Sequence, residues 1–182
     1  MATSNQTNLV QNAKNTFLAN QFFLSAWAAS VRRNKTWENL EGNDRSEFRQ
    51  KMKAKVEQIL LSYTHPIDSE THIKNIEDLH KFSKDNGEEF NIGKCQKLLN
   101  LLCKYYWCAG WICEPPHNTL DKQIICKVAN KENGLKNQNW TKIDDIETYK
   151  KIIDEVTAYA KNEGYDSAVV WELCNWKDSL AE

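Results

Sequence analysis

Two residues of this chain combine a reactive type with a useful spacing. Lys97 lies near the start of a stretch, Asn91 to Ala109, that reads as a long helix, and Asp121 lies 24 positions further on, where another helix begins. An α-helix advances only about 1.5 Å per residue, so a helix and a short return bring such positions back together. A lysine amine set in a desolvated cleft or at a helix N-terminus loses its proton more readily and becomes a nucleophile. Attack at the sugar carbon of a nucleotide displaces the base and leaves a Schiff base. A nearby carboxylate stabilises the cationic sugar, as in glycoside hydrolysis. The base must first be flipped into a pocket, and aromatic residues crowd this part of the chain: Tyr105, Tyr106, Trp107, Trp111 and His117. The bland alternatives stay open: a solvated lysine, an aspartate that caps a helix, and aromatics that belong to the core.

The run Gly93-Lys94-Cys95-Gln96-Lys97, the helix after it and Asp121 resemble the helix-hairpin-helix DNA glycosylase superfamily, nearest its archaeal 8-oxoguanine-glycosylase branch with the longer gap between Lys and Asp. The resemblance covers about residues 90–128. It implies Lys97 as nucleophile, with Lys94 the alternative, Asp121 as the carboxylate, and a base pocket of Tyr105, Trp107, Trp111 and His117. Gly93 and Lys94 then meet the DNA backbone, the partner is double-stranded DNA with one base flipped out, and no cofactor is required. The chain departs from the pattern in two places: it has one hairpin glycine where the family usually has two, and Thr119 stands two residues before Asp121 where the family has proline.

Other signatures are missing. Gly93 and Gly110 stand alone, so there is no phosphate-cradling loop, and there is neither a serine nucleophile elbow nor a His-Glu-x-x-His pair. Cys108, Cys113 and His117 are wrongly spaced for a zinc knuckle, and no metal site is expected. Asp144, Asp145 and Glu147 would suit a metal-dependent nuclease, but read more simply as the acidic start of a helix. Arg45, Arg49 and Lys53 recur at helical spacing opposite an apolar stripe, which reads as a contact face for DNA phosphates or as a solvated face.

The elements that must carry these residues are all helical. Leu9, Ala13, Phe17, Phe23, Leu24, Trp27 and Val31 predict a helix from about Asn8 to Val31. Asp44 and Glu47 resemble a capping box opening a second helix, through about Tyr63, with Phe48, Met52, Val56, Ile59 and Leu60 on one face. A helix follows over Glu70–Phe82, then a turn at Asp85-Asn86-Gly87. Asn118 or Thr119 caps a helix over Leu120–Ala129, residues Lys131–Asn139 read as a loop, Asp144 or Asp145 caps a helix over Ile146–Asn162, and Ser167–Trp176 is read as helix rather than strand. The expected fold is an all-α, irregular two-lobed bundle (lobes 1–85 and 86–182 of one domain) with a helix-hairpin-helix-like element and a central cleft.

The 182 residues suffice for a core, and 41% apolar with 27% charged residues is ordinary for a globular chain. Seven Trp is high for this length, which suggests that some face a ligand. No apolar run approaches a membrane span and no secretory signal opens the chain, so a cytoplasmic monomer is expected. Cys103, Cys108, Cys113 and Cys126 read as buried free thiols in a reducing compartment. The net charge of −1 hides an asymmetry, +4 over residues 1–63 against −6 over 144–182. These features point to excision of a damaged or modified base from DNA, in repair or in defence against phage with modified DNA. The runner-up is a non-catalytic helical module binding protein or nucleic acid, which predicts an exposed aromatic patch and no organised Lys–Asp pair.

Overall fold

In the computed structural model, which describes residues 2–31, 42–129 and 135–175, every regular element is helical. Among the described residues the α-helices are α1 (Ala2–Val31), α2 (Gly42–Leu60), α3 (Ser69–Asp85), α4 (Ile92–Cys108), α5 (Lys122–Val128), α6 (Ile146–Asn162) and α7 (Ala168–Cys174). Short 3-10 turns lie at Leu61–Thr64, Leu135–Asn137 and Trp140–Lys142.

The bundle is built around α4. From Ile92 to Lys104 its residues are buried, Lys94 alone being half-exposed, and a helix enclosed all round must have neighbours on every side. Those neighbours are α1, α3, α6 and the Trp140–Lys142 turn. The Asn91 side chain opens α4 by accepting from the Lys94 N–H (3.1 Å), and Gly110, at φ 73°, closes it. The expected stripe of α2 is the one buried: Phe48, Met52, Val56, Ile59 and Leu60. Asp145, Ser167 and Asp68 cap α6, α7 and α3 through their side-chain oxygens.

Several expectations are corrected. Gly93 makes no turn: it is the second residue of α4, and the glycine with a positive φ before the helix is Gly87 (φ 107°). Asp44 lies in the first turn of α2, which starts at Gly42, so it is not the cap. Neither Asn118 nor Thr119 caps α5. Both are buried, Asn118 held by Asn100 of α4 and Thr119 by Glu172 of α7, and Asp121 caps it instead. Of the four clustered cysteines only Cys103 is buried; Cys108 and Cys126 are exposed and Cys113 is intermediate, because they fall at helix ends and on the outer face of the 109–121 connection. Helix α1 begins earlier than expected, and Leu9, Phe17 and Leu24 on it are exposed while Phe23, Trp27 and Val31 are buried. Residues 131–134 of the expected loop, and Trp176, lie outside the described residues. No helix among the described residues is long and apolar enough to cross a membrane.

Candidate active site

Leaving α4, the chain passes the Leu61–Thr64 turn, where the Cys113 N–H donates to the Tyr63 carbonyl (2.9 Å), and then runs back along α4. Two amide side chains of α4 hold this return. Asn100 donates to the Asn118 carbonyl (2.8 Å). Gln96 donates to the Leu120 carbonyl (2.8 Å) and accepts from the Leu120 N–H (3.1 Å). This two-point clamp joins the residue before Lys97 to the residue before Asp121, and so sets the register of the candidate pair.

The expected juxtaposition is present. Lys97 Nζ lies 3.5 Å from Asp121 Oδ2, with the side chains 11% and 19% exposed. The other carboxylate oxygen, Oδ1, accepts from the Ile124 N–H (3.0 Å), so Asp121 is helix cap and counter-ion at once. The Trp140 ring lies 4.4 Å from the ammonium, in cation–π contact. Burial pushes the Lys97 amine below its ordinary range, and the Asp121 charge opposes the shift without cancelling it. Trp140 is held here by Gly93. The Gly93 N–H donates to the Ile143 carbonyl (2.8 Å), and any Cβ on Gly93 would overlap the Trp140 carbonyl oxygen. The glycine read as a DNA-binding turn is thus a close-packing glycine.

One α4 repeat further along, Lys104 donates to Glu172 Oε1 (2.7 Å), and Glu172 Oε2 accepts from the Thr119 N–H (3.0 Å). Lys104 is 7% exposed and Glu172 2%, and burial raises the Glu172 carboxyl. Sequence reasoning missed this second pair and Trp140. A signal for the first was available: Gln96, Lys97, Asn100 and Lys104 form a polar stripe on a helix that is otherwise apolar.

The residues expected to line a base pocket are dispersed. Tyr105 and Trp111 pack on Phe22 of α1 with ring centroids 5.4 and 5.6 Å apart, Trp107 is half-exposed, and none of them lies over the amine. His117 is 4% exposed and belongs to a buried network, with Nε2 2.7 Å from Ser69 Oγ and Nδ1 2.9 Å from the Tyr149 hydroxyl. The Ser69–His117 contact resembles a nucleophile and its base. The donors argue otherwise. Asn100 Nδ2 is 3.2 Å from the Tyr149 oxygen, so the buried Tyr149 proton finds its acceptor at His117 Nδ1. That leaves Nε2–H donating to Ser69, and a ring that donates to the serine cannot take its proton.

On α2, Lys53 pairs with Glu57 and Lys51 with Glu47, each at 2.8 Å, so the face of Arg45, Arg49 and Lys53 is less positive than its lysines suggest. Lys94 sits 5.7 Å over the Phe90 ring. Among the described residues no group of three or more His, Cys, Asp or Glu could hold a metal ion. Asp145 is spent as a cap, and Asp144 accepts from Asn91 (2.9 Å).

No family model matches the chain, and neither the curated proteins nor the solved structures contain a significant match to it.

Proposed function

We propose that this protein excises a damaged or modified base from DNA with Lys97 as nucleophile. One observation carries the reading: a buried amine of lowered basicity lies 3.5 Å from a carboxylate and beneath an indole ring. In the proposed reaction the neutral Lys97 amine attacks C1′ of a flipped nucleotide. The C1′–N bond breaks, its electron pair leaves with the base, and one amine proton passes to that base. Opening of the sugar ring, with the second amine proton moving to O4′, then gives a Schiff base that water hydrolyses. Asp121 faces the carbon where positive charge develops. In this reading an extruded base stacks on the Trp140 ring, which lies 4.4 Å from the ammonium. Lys94, Arg45, Arg49 and Lys53 are the candidate phosphate contacts, and DNA is the proposed partner.

A second reading has its own support. Because Asp121 also caps α5 and Lys97 is 9% exposed, the pair is complete as a packing device in a non-catalytic helical module. Borohydride trapping on duplex DNA carrying modified bases separates the two. Excision predicts a covalent adduct that Lys97→Gln abolishes and that Asp121→Asn reduces at least a few hundredfold, the scale of about 3–4 kcal/mol for one lost electrostatic contact. Asparagine caps a helix nearly as well as aspartate, so Asp121→Asn keeps the α5 cap, and urea unfolding of both variants establishes that each is folded. No adduct with any base, from a protein with native unfolding behaviour, leaves the packing reading.

A further inference from the structure

Helix α7 is tied at three points to the chain that carries Asp121. Its cap residue, Ser167, donates to Glu114 (2.5 Å) in the 109–121 connection. Glu172 Oε2 accepts from the Thr119 N–H (3.0 Å), two residues before Asp121. Asn175 Oδ1 accepts from the Lys127 ammonium (3.1 Å) on α5, the helix that Asp121 caps. The first and last of these contacts are exposed and hold weakly. The middle one is buried: Glu172 is 2% exposed, and its other oxygen takes Lys104, 7% exposed, at 2.7 Å. A buried ion pair is a poor source of stability, because desolvating two charges takes back most of their attraction. Apolar side chains of the same volume would pack as well. What a carboxylate adds is a strong, directed acceptor for a backbone N–H. Three successive residues before Asp121 are then fixed. Asn100 and Gln96 of α4 hold the Asn118 and Leu120 backbone, and Glu172 holds Thr119 from a second helix. A segment held by one helix can pivot about it, whereas one held by two cannot.

We propose that Glu172 is a positioning residue of the excision site: it holds the Thr119 backbone so that the Asp121 carboxylate stays opposite the Lys97 amine, and Lys104 holds Glu172 in turn. The role rests on the excision reading; the hold on Asp121 rests on the hydrogen bonds. Lys97 and Lys104 are seven residues apart on α4, two turns and roughly 10 Å along its axis, so they share one side of the helix. The charged groups that bear on the Lys97 amine are Asp121, Lys104 and Glu172, while the Trp140–Lys142 turn presents its uncharged indole. Helices α3 and α6 meet α4 at Asn100, through the neutral His72 and Tyr149, and α1 meets it at Tyr105 through Phe22. Lys104 and Glu172 offset one another, so Asp121 is the charge that dominates at the amine. Any displacement of Asp121 therefore shows in the titration of Lys97. It shows in the rate as well, since a misplacement of about 1 Å can cost about 10²-fold.

Two double variants separate anchoring from charge and packing. Glu172→Gln with Lys104→Gln removes both charges but keeps a carbonyl oxygen for the Thr119 N–H. Glu172→Met with Lys104→Gln removes the charges and the acceptor at nearly the same volume. Neutral groups of similar size often replace a buried ion pair at little cost, so both variants should fold, and urea unfolding checks it. The Lys97 amine is titrated by NMR in lysine-labelled protein without DNA. Asp121→Asn gives the reference, because loss of the facing charge should lower the Lys97 titration by about one unit or more. The glutamine variant should titrate like wild type and give native adduct rates in borohydride trapping. The methionine variant should shift Lys97 down by more than half the Asp121→Asn shift and trap about tenfold more slowly or worse. In the wild-type chain the Thr119 amide should exchange slowly with solvent. A methionine variant that titrates and traps like the glutamine one overturns the proposal. So does a glutamine variant as impaired as the methionine one, or a Thr119 amide that exchanges like an open loop. If the wild-type chain forms no adduct with any base, the excision reading fails, and titration and exchange alone decide whether Glu172 holds Asp121.

Discussion

At Gly93 the difference between a hydrogen atom and a methyl group decides whether α4 can meet the 140–143 backbone. An alanine Cβ there would overlap the Trp140 carbonyl oxygen and press on Ile143 Cβ at 3.4 Å, and backbone yields less readily than a side-chain tip. Gly93→Ala should therefore destabilise the protein by roughly 2–4 kcal/mol, despite the better helix propensity of alanine. Urea unfolding measures the loss, and a change under about 1 kcal/mol would show that the contact relaxes freely. The same residue marks how far sequence reasoning reached. Lys97 and Asp121 were legible as a pair because their separation follows from one helix and one return. Gly93 was misread because a glycine before lysines fits a turn as well as a close approach, and only the tertiary partner, 47 positions away at Trp140, distinguishes them. Trp140 itself gave no local signal, since a tryptophan in a polar stretch shows nothing of the amine it covers.

Among the elements, α3, α4 and α6 are tied by a buried chain of hydrogen bonds. Tyr63 donates to His72 Nδ1 (2.7 Å), His72 Nε2 donates to Asn100 Oδ1 (2.8 Å), and Asn100, Tyr149 and His117 carry the chain on to Ser69. Burial holds His72 down at about 4 and His117 at about 3, both from an ordinary 6.5. The unfolded chain thus takes up protons near pH 6.5 that the folded chain refuses. The stabilising effect is complete above that pH and is lost as pH falls toward 4, at roughly 1.4 kcal/mol per pH unit for each histidine. Glu172, whose carboxyl burial raises, works in the opposite sense. Unfolding free energies at pH 7, 6 and 5 should fall by roughly 3–4 kcal/mol in all, and His117→Gln should halve the slope. A flat profile would mean that the histidines are hydrated in the folded chain. The bounds of α6 were well read because its cap is local: it was expected over Ile146–Asn162 and is found there, with Asp145 as its cap. They were poorly read around residues 117–121, where α4 side chains, not local propensity, decide which residue caps and which is buried.

For the whole molecule the all-helical class was legible from periodicity, because few glycines and prolines interrupt it. What periodicity cannot show is whether an apolar residue meets a partner. In α1 the residues from 6 to 14 are all exposed, and the first fully buried one is Phe23. Replacing Leu9 and Val10 together by alanine should accordingly change the unfolding free energy by less than about 1 kcal/mol, since exposed positions away from caps and packing contribute little. A larger loss in a urea titration would show that this part of α1 has a partner. With a residue rise of about 1.5 Å, α1 is roughly 45 Å long, close to the full width of about 40 Å of a compact chain of this length, and its residues 6–14 lie exposed beyond the packed part. A rod of that length on a small body drags on the solvent unequally in different directions. Rotation about such a rod is faster than rotation end over end, so amide relaxation along the exposed start of α1 should report tumbling that depends on direction.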